Sequence, residues 1–122
     1  MNIFVKVGES QYPACITGRL HDSEWDNRQT KSIKLQMTYA DAAVLFVDGV
    51  RWSIIQESEG MIQDITEDGE VTYVQQVICE EHDNSDYNLA GDIIDHRDGF
   101  ITVKMGKLTD LEATLELLLG GN

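Results

Sequence analysis

Between Arg51 and Arg97 the sequence has no lysine and no arginine, and the whole 122-residue chain carries a net charge of −13 with a pI near 4.3. That shortage of cations argues against DNA, RNA or an anionic membrane surface as a direct partner, because each phosphate contact needs a cation to displace counterions. Proline occurs once and cysteine twice. Cys15 and Cys79 have no CxxC spacing and no density that would suggest a disulfide scaffold, so both are expected to be reduced, buried thiols. The longest apolar block, Ala42 to Val47, is too short to span a bilayer, and no basic stretch followed by an apolar run opens the chain. The expected location is the cytoplasm of the host cell, with incorporation into a virion as the second possibility.

Motifs that carry chemistry are missing as well. There is no GxSxG elbow, no GxGxxG fingerprint and no P-loop. Two stretches place carboxylates beside histidine: Glu80-Glu81-His82-Asp83, and Asp92 through Asp95, His96 and Asp98. Neither has the ligand spacing of a zinc site, and Asp83-Asn84-Ser85-Asp86 does not continue as a calcium loop. Both read as structural. No catalytic residue, cofactor or metal site is assigned, and the chain is expected not to be an enzyme.

What is present is ordinary globular material, 42% hydrophobic and 25% charged, which predicts folding into one domain over residues 1–122. Ile3, Val5 and Val7 alternate before Gly8-Glu9, and Tyr12, Ala14 and Ile16 after it, predicting a hairpin in which Pro13 suggests a sheet edge. His21 to Thr30 reads as a polar loop anchored by Trp25. Ile33, Leu35 and Met37 predict a strand, after which Thr38 and Asp41 cap a short helix near 39–47 that ends at Asp48-Gly49. Arg51 to Gln56 is the next strand, with Trp52 inside the core. Glu57 to Gly69 reads as a polar loop from which Met61, Ile62 and Ile65 cover the core. Val71 to Cys79 is a strand and Glu80 to Asp86 a second polar tract. Tyr87 to Ile94 and Phe100 to Met105 form a hairpin about Asp98-Gly99. Thr109 and Glu112 form a capping box for a helix near 109–119, with Leu111, Leu115 and Leu118 on one face and Gly120-Gly121 as the stop. The fold class is α+β, a mainly antiparallel sheet of about six to seven strands with two short helices.

The charge is regional. Residues 57 to 98 hold thirteen acids against Arg97 alone, while residues 1 to 56 balance six acids with six bases. Solvated loops explain such a tract simply. The sharper reading makes it a docking face composed of Glu57, Glu59, Asp64, Glu67, Asp68, Glu70, Glu80, Glu81, Asp83 and Asp86, with Trp25 and Arg28 as further interface candidates.

At Trp25-Asp26-Asn27-Arg28, at Leu45 to Ile54 and at Asp86 to Gly99, the sequence resembles small proteins encoded in phages and prophages of Gram-positive gut bacteria. The similarity runs from about Arg19 to Glu112. Such proteins generally carry no assigned activity, and many lie among virion structural genes. The resemblance implies a phage-encoded protein that works by association with itself or with phage structural proteins, as a small tail or head–tail component. The alternative is an acidic counter-defence inhibitor that mimics nucleic acid and blocks a basic host nuclease. A metal-dependent enzyme using Asp92, Asp95 and His96 is the third reading.

Overall fold

The computed structural model describes residues 2–120, without the side chains of residues 62, 64 and 74. Its elements are β1 (Asn2–Val7), β2 (Ser10–Asp22), β3 (Arg28–Gln36), α1 (Tyr39–Leu45), β4 (Trp52–Ile65), β5 (Val71–Asp83), β6 (Leu89–Asp95), β7 (Phe100–Gly106) and α2 (Asp110–Gly120). All seven strands join one antiparallel sheet in the order β5-β4-β1-β2-β3-β7-β6. The fold is α+β, as the alternation of the sequence predicts.

β2 joins the two halves of the sheet. Its residues Ser10 to Pro13 pair with β1, whereas pairing with β3 begins only at Ala14. Two half-sheets therefore share one long strand with almost no overlap between their ladders. Pro13 sits at this handover. The expectation of an edge strand there is corrected, because β2 is central, yet the missing N–H costs no bond where the β3 ladder has not begun. Gly8, at φ +63°, closes the tight β1–β2 turn in a conformation that favours glycine.

The core draws on both half-sheets. Val5 and Trp52 come from one, Ile33, Leu35, Ile101, Val103 and Met105 from the other, and Ala42 and Phe46 from α1 and its end. The registers Ile33↔Val103 and Leu35↔Ile101 put these side chains on one face, as period-2 alternation requires. Thr38 Oγ1 accepts from Asp41 N–H and fixes the start of α1. Trp52 is buried as expected, with its indole N–H donating to the Tyr87 carbonyl.

Further expectations are corrected. Glu57 to Ile65 is not a loop but the continuation of β4, paired residue by residue with β5 from Ser53↔Asp83 to Ile65↔Val71. Met61 and Ile65 cover no core and are exposed, while the side chain of Ile62 lies outside the described residues. Likewise β5 runs through the supposed polar tract to Asp83, and β2 and β3 reach into the predicted loop, leaving only residues 23–27 as turn. Polar side chains do not prevent a strand when both of its faces meet water. Cys15 and Cys79 are exposed rather than buried: Cys15 opposes Lys34 on the outer face and Cys79 lies on edge strand β5.

Candidate functional site

Beyond Glu57 the β4–β5 hairpin leaves the rest of the sheet. The β1 ladder stops at Asn2↔Glu57, so Ser58 to Ile65 and Val71 to Ile78 form a two-stranded arm with no third strand among the described residues. At about 3.4 Å per residue, these eight pairs project roughly 25 Å. The turn at the tip is locked by Thr66 N–H to the Glu70 carbonyl, Gly69 N–H to the Thr66 carbonyl, and Glu70 N–H to Thr66 Oγ1. The arm carries apolar side chains into water: Met61, Ile65 and Tyr73 are 66, 68 and 65% exposed.

The second projecting element is α2. Its first turn is held firmly. Thr109 N–H donates to Glu112 Oε1 and Glu112 N–H to Thr109 Oγ1, the reciprocal box the sequence predicts. The same Glu112 carboxylate receives both terminal nitrogens of buried Arg28, at 2.7 and 3.2 Å. That forked ion pair is the first cause, and the Thr109 backbone bond the second, of a Glu112 pKa lowered to about 2. After this turn no strand among the described residues packs along the helix, and Leu117, Leu118 and Leu119 are 77, 76 and 81% exposed. Leu111, Leu115 and Leu118 do share a face, but that face meets solvent. Gly121 of the expected stop lies outside the described residues.

The acidic candidates divide among separate places. Glu57 and Glu59 lie on β4 of the hairpin, Glu67, Asp68 and Glu70 at its tip, and Glu80, Glu81 and Asp83 at the base of β5; the side chain of Asp64 lies outside the described residues. Asp86, past the hairpin, is spent on Lys107 at 3.0 Å. Asp92 and Asp95 sit on β6, at the opposite end of the strand order from β5. Glu81 is partly neutralised by Lys6 at 3.5 Å and accepts from Ser53 Oγ, whose bond is the leading cause of its lowered pKa.

Trp25 and Arg28 serve the body and lie far along the strand order from the arm. The Trp25 ring fills the space over Gly91 and Gly106, where an added Cβ would lie 2.7 Å from it, and Arg28 stacks on it at 4.8 Å. Beneath them, fully buried Asp22 is held by Lys104 Nζ at 2.8 Å, by Thr30 Oγ1 and by the Glu24 N–H, with Lys104 the main cause of its lowered pKa. These contacts close the β2–β3 turn, in which Asp26 and Asn27 adopt positive φ.

An open cleft of about 940 Å³ lies between Lys6, Arg51, Glu81 and Asp83. Its serine hydroxyls donate to carboxylates, Ser53 to Glu81 and Ser85 to Asp83, with no histidine among the lining residues. Elsewhere His96 contacts Thr102 and His82 lies 3.5 Å from Glu80. Among the described residues no three of His, Cys, Asp and Glu converge as a metal-binding group. No helix among them is long and apolar enough to cross a membrane.

Compared with models of protein families, with curated proteins and with solved structures, the chain finds no match. Candidate residues therefore stand on geometry. The acids expected to form one docking face are divided between the hairpin and the loop after it, and Met61 and Ile65, expected to cover the core, project from the arm into water. The signal for the arm was available: Val71 to Cys79 is a nine-residue run without a charge, and it follows a tight Asp68-Gly69 turn.

Proposed function

We propose that this protein is a non-enzymatic assembly component, encoded by a phage or prophage, that joins other proteins through the β4–β5 arm and α2. The arm carries the reading. A two-stranded hairpin alone is marginally stable in water, and three or more strands or a packed face are needed to hold it. Exposed apolar side chains on such an arm and along α2 are surfaces that a neighbouring subunit would bury. The phage setting, a small tail or head–tail part, comes from the resemblance at Trp25 to Arg28, Leu45 to Ile54 and Asp86 to Gly99.

The test is to look for the chain in purified particles by mass spectrometry, and to repeat the search with a variant whose arm is shortened between Ser58 and Ile78 to a tight turn. The full chain is expected in particles and the shortened one is not. A chain absent from particles that captures no partner would overturn the proposal. The nucleic-acid mimic has less support, because the acids are spread over the hairpin, the Asp86 loop and β6. A complex with a basic nuclease would weaken as salt rises and would be displaced by DNA or RNA.

A further inference from the structure

β5 ends the sheet, and its outer edge has a distinctive make-up. Val71 to Cys79 contains no charge, no proline and no glycine, between Glu70 on one side and Glu80 on the other. Natural edge strands are commonly blunted with lysine, proline or bulges. This one has none of these over nine residues, although the chain as a whole carries −13. By contrast the other edge, β6, carries Asp92 and Asp95 and a register shift between Ala90 and Ile93.

The backbone says which groups are free. Thr66 N–H donates to the Glu70 carbonyl, which makes residues 66 and 70 a hydrogen-bonded pair. Alternation along the antiparallel ladder then directs the even-numbered residues of β5 toward β4. The N–H and C=O groups of Val71, Tyr73, Gln75, Val77 and Cys79 consequently point outward. Such a row is an unfilled ladder, and a strand running antiparallel would complete it.

We infer that the occupant is β5 of a second copy, paired antiparallel across a two-fold axis near the middle of the uncharged stretch. Three observations favour a second copy over a foreign strand. An antiparallel two-fold pairing is self-complementary, so every outward donor on one chain meets an acceptor on its mate. The stretch itself carries no charge, and the one carboxylate bonded to it, Glu59 of β4, is one strand back from the edge and held by Gln75, so two strongly acidic chains can touch there. The pairing also turns two marginal two-stranded arms into one four-stranded sheet, β4-β5 against β5-β4 of the second copy. A basic partner would instead seek the tip and the base of the arm, where the carboxylates are. The inference rests on the assembly reading and names its first partner.

A nine-residue edge falls well short of the roughly 20–30 residues a side of a standard interface, so the dimer is reversible and concentration-dependent. Its salt response is opposite to that of an acidic inhibitor. Shrinking the Debye length from ~30 Å at about 0.01 M to ~3 Å at about 1 M screens the repulsion between the two chains and strengthens the dimer.

Sedimentation equilibrium and residue-resolved hydrogen exchange, both on the full chain, test this. Dimerisation is expected, with the amides of Val71, Tyr73, Gln75, Val77 and Cys79 going from unprotected to slow as protein concentration rises, while the even-numbered β5 amides, bonded to β4, start partly protected and slow further. Gln75→Pro removes one outward donor and leaves the backbone ladder to β4 intact, losing only the Gln75–Glu59 side-chain bond on that side, and Tyr73→Glu adds a further negative charge to the edge; each should weaken the dimer at least ten-fold. Ile94→Lys on the β6 edge should leave it unchanged. A wild type that stays monomeric at all salt concentrations, or a dimer that persists in both variants with the odd-numbered amides unprotected, overturns the inference while particle incorporation can still succeed. Conversely, an intact β5 dimer in a chain missing from particles would sink the assembly reading and leave this contact standing.

Discussion

The two ends of β4 have the same backbone geometry and opposite surroundings. Trp52 is buried in the core cluster and Ile55, on the other face of the strand, is buried opposite Phe4 of β1, whereas Met61 and Ile65 on the same strand meet water. Strand formation and core formation are thus separable here. Cross-strand hydrogen bonds extend β4 to its tip, but burial, which supplies most of the stability, ends where β1 does.

Substitutions on each side of that boundary should separate sharply. Ile33→Ala, at a fully buried position, is expected to cost about 2–5 kcal/mol in denaturant unfolding. Gly106→Ala comes next: its Cβ would meet the Trp25 ring at 2.7 Å and the Arg28 Cδ at 2.9 Å, an overpacking expected to cost about 1–3 kcal/mol. In a Trp25→Ala background the added Cβ has room, and the cost of Gly106→Ala should fall, a coupling that a double-mutant cycle measures directly.

Glu112→Gln should loosen α2 while leaving the sheet intact. Because the folded pKa, about 2, lies below the ordinary 4.5, the carboxylate's contribution is complete above pH 4.5 and disappears as pH falls toward 2. Helical circular dichroism and proteolysis near Leu117 should show wild-type α2 retained at pH 3.5 and lost near pH 2. The variant should lack that acid transition and be cut faster at pH 7. The smallest effect on folding belongs to the arm. Tyr73→Ser is expected to shift unfolding by no more than about 0.5 kcal/mol, yet to reduce self-association in sedimentation runs. A large loss of stability from Tyr73→Ser would mean that the arm is anchored to the body after all.

Elements governed by local rules were legible in the sequence. The capping residues Thr38 and Thr109, the Gly8 and Asp98-Gly99 turns and the alternation of Ile33, Leu35 and Met37 each rest on neighbours a few residues apart. Misreadings arose where the deciding fact was distant. Polar residues from Glu57 to Asp64 read as a loop because alternation carries no signal when both faces of a strand are wet. The exposure of Cys15 and of Leu115 depended on which face received a partner layer, which topology decides. Arg28 was visible as an interface candidate, but its bond to Glu112, 84 residues away, has no local signature. The apolar half of the candidate docking surface was hidden for a related reason: an exposed Val or Tyr and a buried one are spelled alike.

The uninterrupted run of β4 from body to tip also has a mechanical meaning. The strand enters the packed body alongside β1 through the antiparallel register Asn2↔Glu57 to Val7↔Trp52. A pull along the arm would load those cross-strand bonds together, in shear, because they lie perpendicular to the strand. Whatever grips the arm therefore grips the core as well, and tension at the tip is shared across a ladder instead of peeling it one rung at a time.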